Sequence, residues 1–98
     1  MIRIHRAATV EATAAFWWYE KRSAATAERF WNRVKAAYQE ILAAPQKWAA
    51  DAEGIRSFRL KGFPYAIIYK VVAAEILVAS VAHGKRRPRY WRTRWRDF

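Results

Sequence analysis

Ile55-Arg56-Ser57-Phe58-Arg59-Leu60-Lys61-Gly62-Phe63-Pro64-Tyr65-Ala66-Ile67-Ile68-Tyr69-Lys70-Val71-Val72 is the stretch in which the apolar period changes from about 3.6 residues to 2. Ile55–Leu60 reads as a strand, Lys61–Pro64 as a turn, and Tyr65–Val72 as a second strand. Tyr65, Ile67, Tyr69 and Val71 give that second strand one apolar face, and Ala66, Ile68 and Val72 make the other nearly apolar. A strand apolar on both faces belongs in the middle of a sheet, covered on at least one side. Only Ala73 and Ala74 separate it from a third strand, Glu75 to Ala82, so the pair is an antiparallel hairpin.

Upstream, Gln46–Gly54 reads as a loop with one large apolar anchor, Trp48. Pro45 stops a helix predicted over Ala24–Ala44, in which Phe30, Val34, Ala37, Tyr38, Ile41 and Leu42 form one apolar stripe. Ser23 is placed to cap it. Ala7–Arg22, rich in Ala and free of Gly and Pro, predicts a first helix close enough to make an antiparallel helical hairpin. Ile2-Arg3-Ile4-His5-Arg6 alternates as a short half-buried strand does. The order β-α-α-β-β-β predicts an α+β fold, a helical hairpin packed on a small, mostly antiparallel sheet. With 98 residues the chain supports a single domain, 1–98, around one small core.

Downstream, His83–Phe98 holds seven of the nineteen Lys and Arg residues, with Tyr90, Trp91, Trp95 and Phe98 between them and Asp97 as the only acid. Nearly all of this charge is expected to lack a local partner. Pro88 suits the first turn of a short helix or 3₁₀ segment through Tyr90-Trp91-Arg92. The net charge of +11 is uneven: residues 1–53 carry eight basic and six acidic side chains, residues 54–98 eleven and two. Such a field draws anionic partners and speeds encounter. With no cysteine, disulfides, thiolate catalysis and Cys-based zinc sites are excluded. Neither a secretion signal nor an apolar run near the roughly 20 residues of a membrane span is present, so the cytoplasm is the expected location and no membrane partner is expected.

Phe16-Trp17-Trp18-Tyr19 cannot all face one core, since four successive helical positions cover most of the circumference. Two readings stand: the second helix, with Trp31, covers the rings, or they form a groove for a partner. Arg56, Arg59 and Lys61 could line one concave surface with Lys85, Arg86, Arg87 and Arg89, converging on phosphate; the alternative is a solvated basic face. His83 could serve as general acid or base, although a lone histidine at a strand end is more often a structural hydrogen-bonding group. Neither His83 nor His5 has a metal-ligand partner at suitable spacing, so no metal is expected. Gly54, Gly62 and Gly84 are too scattered to cradle a nucleotide, and no cofactor is expected. Glu11, Glu20, Glu28 and Glu40 read as solvated helix surface.

Several stretches together resemble the RelE/ParE superfamily of toxins from type II toxin–antitoxin modules, which includes plasmid stabilisation proteins. They are Trp18-Tyr19-Glu20, Ala27-Glu28-Arg29-Phe30, Ile41-Leu42-Ala43-Ala44-Pro45-Gln46-Lys47-Trp48, Phe63-Pro64-Tyr65-Ala66-Ile67-Ile68-Tyr69 and Val81-Ala82-His83-Gly84-Lys85-Arg86-Arg87-Pro88-Arg89-Tyr90-Trp91-Arg92. The resemblance implies a growth-inhibiting toxin neutralised by a cognate antitoxin, with Phe16, Trp17, Trp18 and Trp31 as anchors for it. It also implies one of two targets. ParE-like members bind DNA gyrase; RelE-like members cut messenger RNA on the ribosome. Arg59, Lys61, His83, Arg86, Arg87, Arg89 and Arg92 are then the target-binding candidates.

A metal-free ribonuclease needs a base, an acid and cations on the phosphate, and the RelE-like pattern would draw these from Arg59, Lys61, Arg86 and Tyr90. The match breaks at Ala66 and Ser57, which stand where that pattern has basic residues, and Tyr90 follows Arg86 too soon. The sequence therefore leans towards a ParE-like toxin acting on gyrase. A small, non-toxic nucleic-acid-binding module is the alternative of another class. Pro88, Tyr90 and Trp91 are expected to dock the chain end on the sheet, leaving Thr93–Phe98 free-standing.

Overall fold

A computed structural model describes residues 1–98. The elements are β1 (Ile2–Ile4), α1 (Arg6–Glu20), α2 (Ala24–Ala43), β2 (Ile55–Arg59), β3 (Tyr65–Val72), β4 (Glu75–His83) and a 3₁₀ helix (Arg92–Asp97). The sheet order is β1-β4-β3-β2, with β1 parallel to β4 and the other pairs antiparallel. The expected α+β order and mostly antiparallel sheet are therefore present. No helix is long and apolar enough to cross a membrane.

Both helices lie on one face of the sheet. The Ser23 hydroxyl accepts the Thr26 amide hydrogen at 3.2 Å and starts α2, in line with its sequence position. At α1 the cap is His5, whose Nδ1 accepts from the Ala7 amide at 2.9 Å. Ala8, Ala12 and Ala15 form the buried edge of α1 and, having only methyl side chains, let the helix lie close to β4. Ala27, Phe30, Val34, Ala37 and Ile41 are the buried residues of α2, while Leu42, expected in the stripe, is 39% exposed next to the helix end. Phe30 sits at the centre, with ring centroids of Tyr19, Phe63 and Tyr65 each 5.3 Å away. The Phe63-Pro64-Tyr65 turn thus locks the hairpin of strands to the hairpin of helices.

Pairing between β3 and β4 shifts where Ile68 faces Ser80 but Tyr69 faces Val78, so Ala79 is the extra residue of a bulge. The bulge lets both Val78 and Val81 point into the helix-side core. The opposite face carries a smaller cluster in which Trp91 buries Ile55 and Ile68. Tyr90 and Trp91 dock on the sheet as expected, whereas Pro88, expected to dock with them, is exposed, and residues 93–98, expected to be free-standing, are tied down. Trp95 stacks on Phe98 and lies under the Lys70 ammonium, and the His5 ring nitrogen Nε2 is 2.9 Å from Asp97 Oδ2. The 3₁₀ helix also starts later than Pro88 suggests, because Arg89 has a φ of 60°, which breaks any helix begun there. Arg89 is held in that conformation by Glu53 at 2.8 Å and Asp51 at 3.5 Å.

Ala73, in the β3–β4 turn, has a φ of 55°, where its Cβ is strained. Ala73→Gly is expected to raise unfolding free energy by about 1 kcal/mol. Urea denaturation with an unchanged m-value checks this, and a lower midpoint would contradict it.

Candidate functional site

β1 pairs only with Ile76–Val78, so the outer edge of β4 beyond Val78 has no neighbouring strand. Its backbone groups are satisfied by side chains instead. Glu11 Oε1 accepts the Val81 amide hydrogen at 3.1 Å and the Ser80 hydroxyl at 2.9 Å, and Tyr90 donates its hydroxyl to Glu11 Oε2. Arg94 donates to both oxygens of Glu11 at 3.0 and 3.1 Å, and to the Ala79 carbonyl at 3.0 Å. Glu11 and Arg94 are only 14% and 17% exposed, so this is a largely dry, two-pronged ion pair. Burial alone would raise the Glu11 pKa, but hydrogen bonds from Arg94, Tyr90 and Ser80, with the Arg94 charge, hold it below the ordinary carboxylate value.

Glu11 is thus not the solvated surface acid that its sequence context suggests. It continues the stripe Ala8–Ala12–Ala15 at helical spacing, which is the signal that could have marked it. Arg94, outside the expected contact set, is its partner.

Above this network lies a cleft of about 420 Å³ between α1 and the end of β4. Ala14, Ala15 and Trp18 form one wall, Tyr65 and Val81 the other, and His83, Arg86 and Tyr90 lie with Glu11 at the polar end. The Arg86 guanidinium lies 4.0 Å from the Tyr90 ring centroid. Across α1, a second groove of about 280 Å³ is lined by Thr13, Phe16, Trp17 and Trp31. The expected aromatic set is therefore split: Phe16, Trp17 and Trp31 share one groove, whereas Trp18 faces the other cleft. Trp17 and Trp18 remain 56% and 52% exposed, so α2 does not cover them. With Val10 and Ala14 they make an exposed apolar stripe along α1.

The basic residues do not gather into one concave surface. Lys61 lies with Arg29 and Arg33 in a separate cleft beside α2, and Arg59 at the end of β2 lines neither. Arg56 is spent on the Trp48 and Gln46 carbonyls. Arg89 is paired with Asp51 and Glu53, and Arg94 with Glu11, so part of the C-terminal charge does have local partners. Arg86, Arg87 and Arg92 are exposed and take part in no ion pair. His83 accepts the Lys85 amide hydrogen at Nδ1 and packs edge-on against Tyr65. No group of His, Asp and Glu has metal-binding geometry.

Of the ribonuclease candidates only Arg86 and Tyr90 come together, and the Tyr90 hydroxyl is already donated to Glu11. Burial first, and then that hydrogen bond, raise the Tyr90 pKa. Tyr19, Tyr38, Tyr65 and Tyr69 are also raised by burial, with Tyr38 pushed to about 12. A tyrosine whose folded pKa exceeds its unfolded value of about 10 adds stability below that pH and loses it as pH rises towards the folded value. Ultraviolet titration should find phenolate appearing above the free-tyrosine midpoint, together with a fall in melting temperature. Titration of all five at the free value would contradict this packing.

A family model described as ParE toxin of type II toxin–antitoxin system, parDE, matches residues 2–88. Among solved structures, a chain described as the chromosomal ParDE TA system from P. aeruginosa is similar, with a TM-score of 0.62 and 16% identity over 84% of this chain and 92% of that one. No curated protein matches the chain.

Proposed function

Because this chain belongs to the ParE toxin family of type II toxin–antitoxin systems, we propose that it inhibits growth by binding DNA gyrase and not by cutting RNA. The observation that carries this reading is the state of Tyr90. Its hydroxyl is committed to the Glu11 carboxylate, its pKa is raised, and Arg59 and Lys61 lie away from Arg86. A ribonuclease would need these groups to converge on one phosphate. His83, Arg86, Arg87 and Arg92 remain as the target-binding set, together with Arg59 and Lys61 at a second location. Arg89, held by two acids, contributes less.

The antitoxin is proposed to lie along α1, with apolar side chains entering the groove of Phe16, Trp17 and Trp31 and others reaching Trp18. Exposed apolar residues at helical spacing support this, since a contiguous apolar patch with two large aromatics usually marks a contact site. Expression of the chain without its antitoxin tests the target. Gyrase-dependent DNA breaks with intact message support the proposal, and rapid cleavage of translated message would replace it with the RelE-like ribonuclease.

A further inference from the structure

The cleft between α1 and the end of β4 has a polar floor that satisfies itself. Both oxygens of Glu11, its only acid, are taken up by Arg94, Tyr90, Ser80 and the Val81 amide. The surface left to meet an occupant is cationic at one end and apolar along the walls. The Arg86 guanidinium, laid on Tyr90, makes no ion pair, so its N–H groups are free to donate. His83 accepts from the Lys85 amide at Nδ1, which leaves Nε2 as its donor. Trp18 forms a wall braced by Arg22, which lies 3.6 Å from its ring centroid and donates to its carbonyl at 2.8 Å.

We propose that this cleft reads one acidic residue of the antitoxin, its carboxylate on Arg86 and His83 and a neighbouring apolar side chain against Trp18 and Ala14. The inference rests on the antitoxin lying along α1. Charge complementarity and continuity with the α1 stripe argue for it: Ala14 and Trp18, which belong to the exposed stripe with Val10 and Trp17, line the same cleft as the two donors. A nucleic-acid strand fits less well, since six of the nine lining residues are hydrophobic and Glu11 sits in the floor.

The test measures affinity for the purified antitoxin encoded with this chain, by calorimetry at physiological salt. Arg86→Glu should weaken binding at least ~10-fold, while Arg33→Glu, the same charge change outside the cleft, should weaken it less than ~3-fold. Both residues are exposed, and matching melting temperatures will show that the variants fold. A photo-crosslinking residue at Ala14 should attach to an antitoxin segment that holds Asp or Glu. Equal losses for the two variants, or a crosslink to a segment without an acid, would overturn the proposal. Arg86→Glu that weakens binding of a single-stranded oligonucleotide but not of antitoxin would overturn it in favour of nucleic acid. If Trp17→Ala weakens antitoxin binding and Arg86→Glu does not, the α1 docking stands and this inference fails. If neither has an effect, both fail.

Discussion

Glu11→Ala is expected to lower unfolding free energy by about 3 kcal/mol, which for a chain of this size is roughly a 15 °C drop in melting temperature. The magnitude comes from the groups that the substitution strands. Arg94 would keep a largely buried charge without its partner, and Tyr90, Ser80 and the Val81 amide would each lose an acceptor. Glu11→Gln, which keeps the shape and some acceptor capacity, should cost less, about 2 kcal/mol. The pH dependence separates these causes. The folded pKa of Glu11 lies below its unfolded value, so its contribution is complete above the unfolded pKa and is lost as pH falls through the folded one. Stability of the parent should therefore decline on the acid side, and that decline should be shallower in Glu11→Gln. A melting temperature for Glu11→Ala within a degree or two of the parent would mean that the β4 edge does not depend on this network.

Trp17→Ala has the opposite profile: a large effect on binding and a small one on folding. The indole is more than half exposed, so its removal takes little from the core. At a partner interface an aromatic of that size, entering or lining a groove, is worth about 2 kcal/mol or more, so affinity for the antitoxin should fall roughly 30-fold. Isothermal titration with matched thermal melts decides it. Unchanged affinity would remove the α1 face as the docking surface, and a collapsed melting temperature would show that the indole serves the core.

These two cases also mark what is legible in the chain and what is not. The change of period across Ile55–Val72, the Ser23 cap and the apolar stripe of α2 are local features, and each predicts its element correctly. Phe63-Pro64-Tyr65 is equally informative, since a turn bearing two rings must pack on something. The parallel pairing of Ile2–Ile4 with Ile76–Val78 has no local signature, because it joins residues some seventy positions apart. The same holds for Glu11. Its donors come from Ser80, Val81, Tyr90 and Arg94, and a separation of up to 83 residues hides them from any window of sequence. Residues 93–98 mislead a sequence reading for a related reason. Charge suggests a free arm, whereas Trp95, Asp97 and Phe98 tie that arm to Lys70 and to His5 at the start of α1. The basic residues show the limit of spacing arguments: Arg59, Lys61 and Arg86 are all cationic and near strand ends, yet the sheet sends them to different places.

Gyrase binding, the proposed mode of action of this ParE-family chain, is open to direct measurement. The most direct measurement incubates the purified protein with gyrase, ATP and supercoiled plasmid and follows trapped double-strand breaks. Gyrase poisoning should yield linear DNA that requires gyrase and disappears when antitoxin is added. No gyrase-dependent breaks, together with cleavage of message by the same preparation on translating ribosomes, would contradict it.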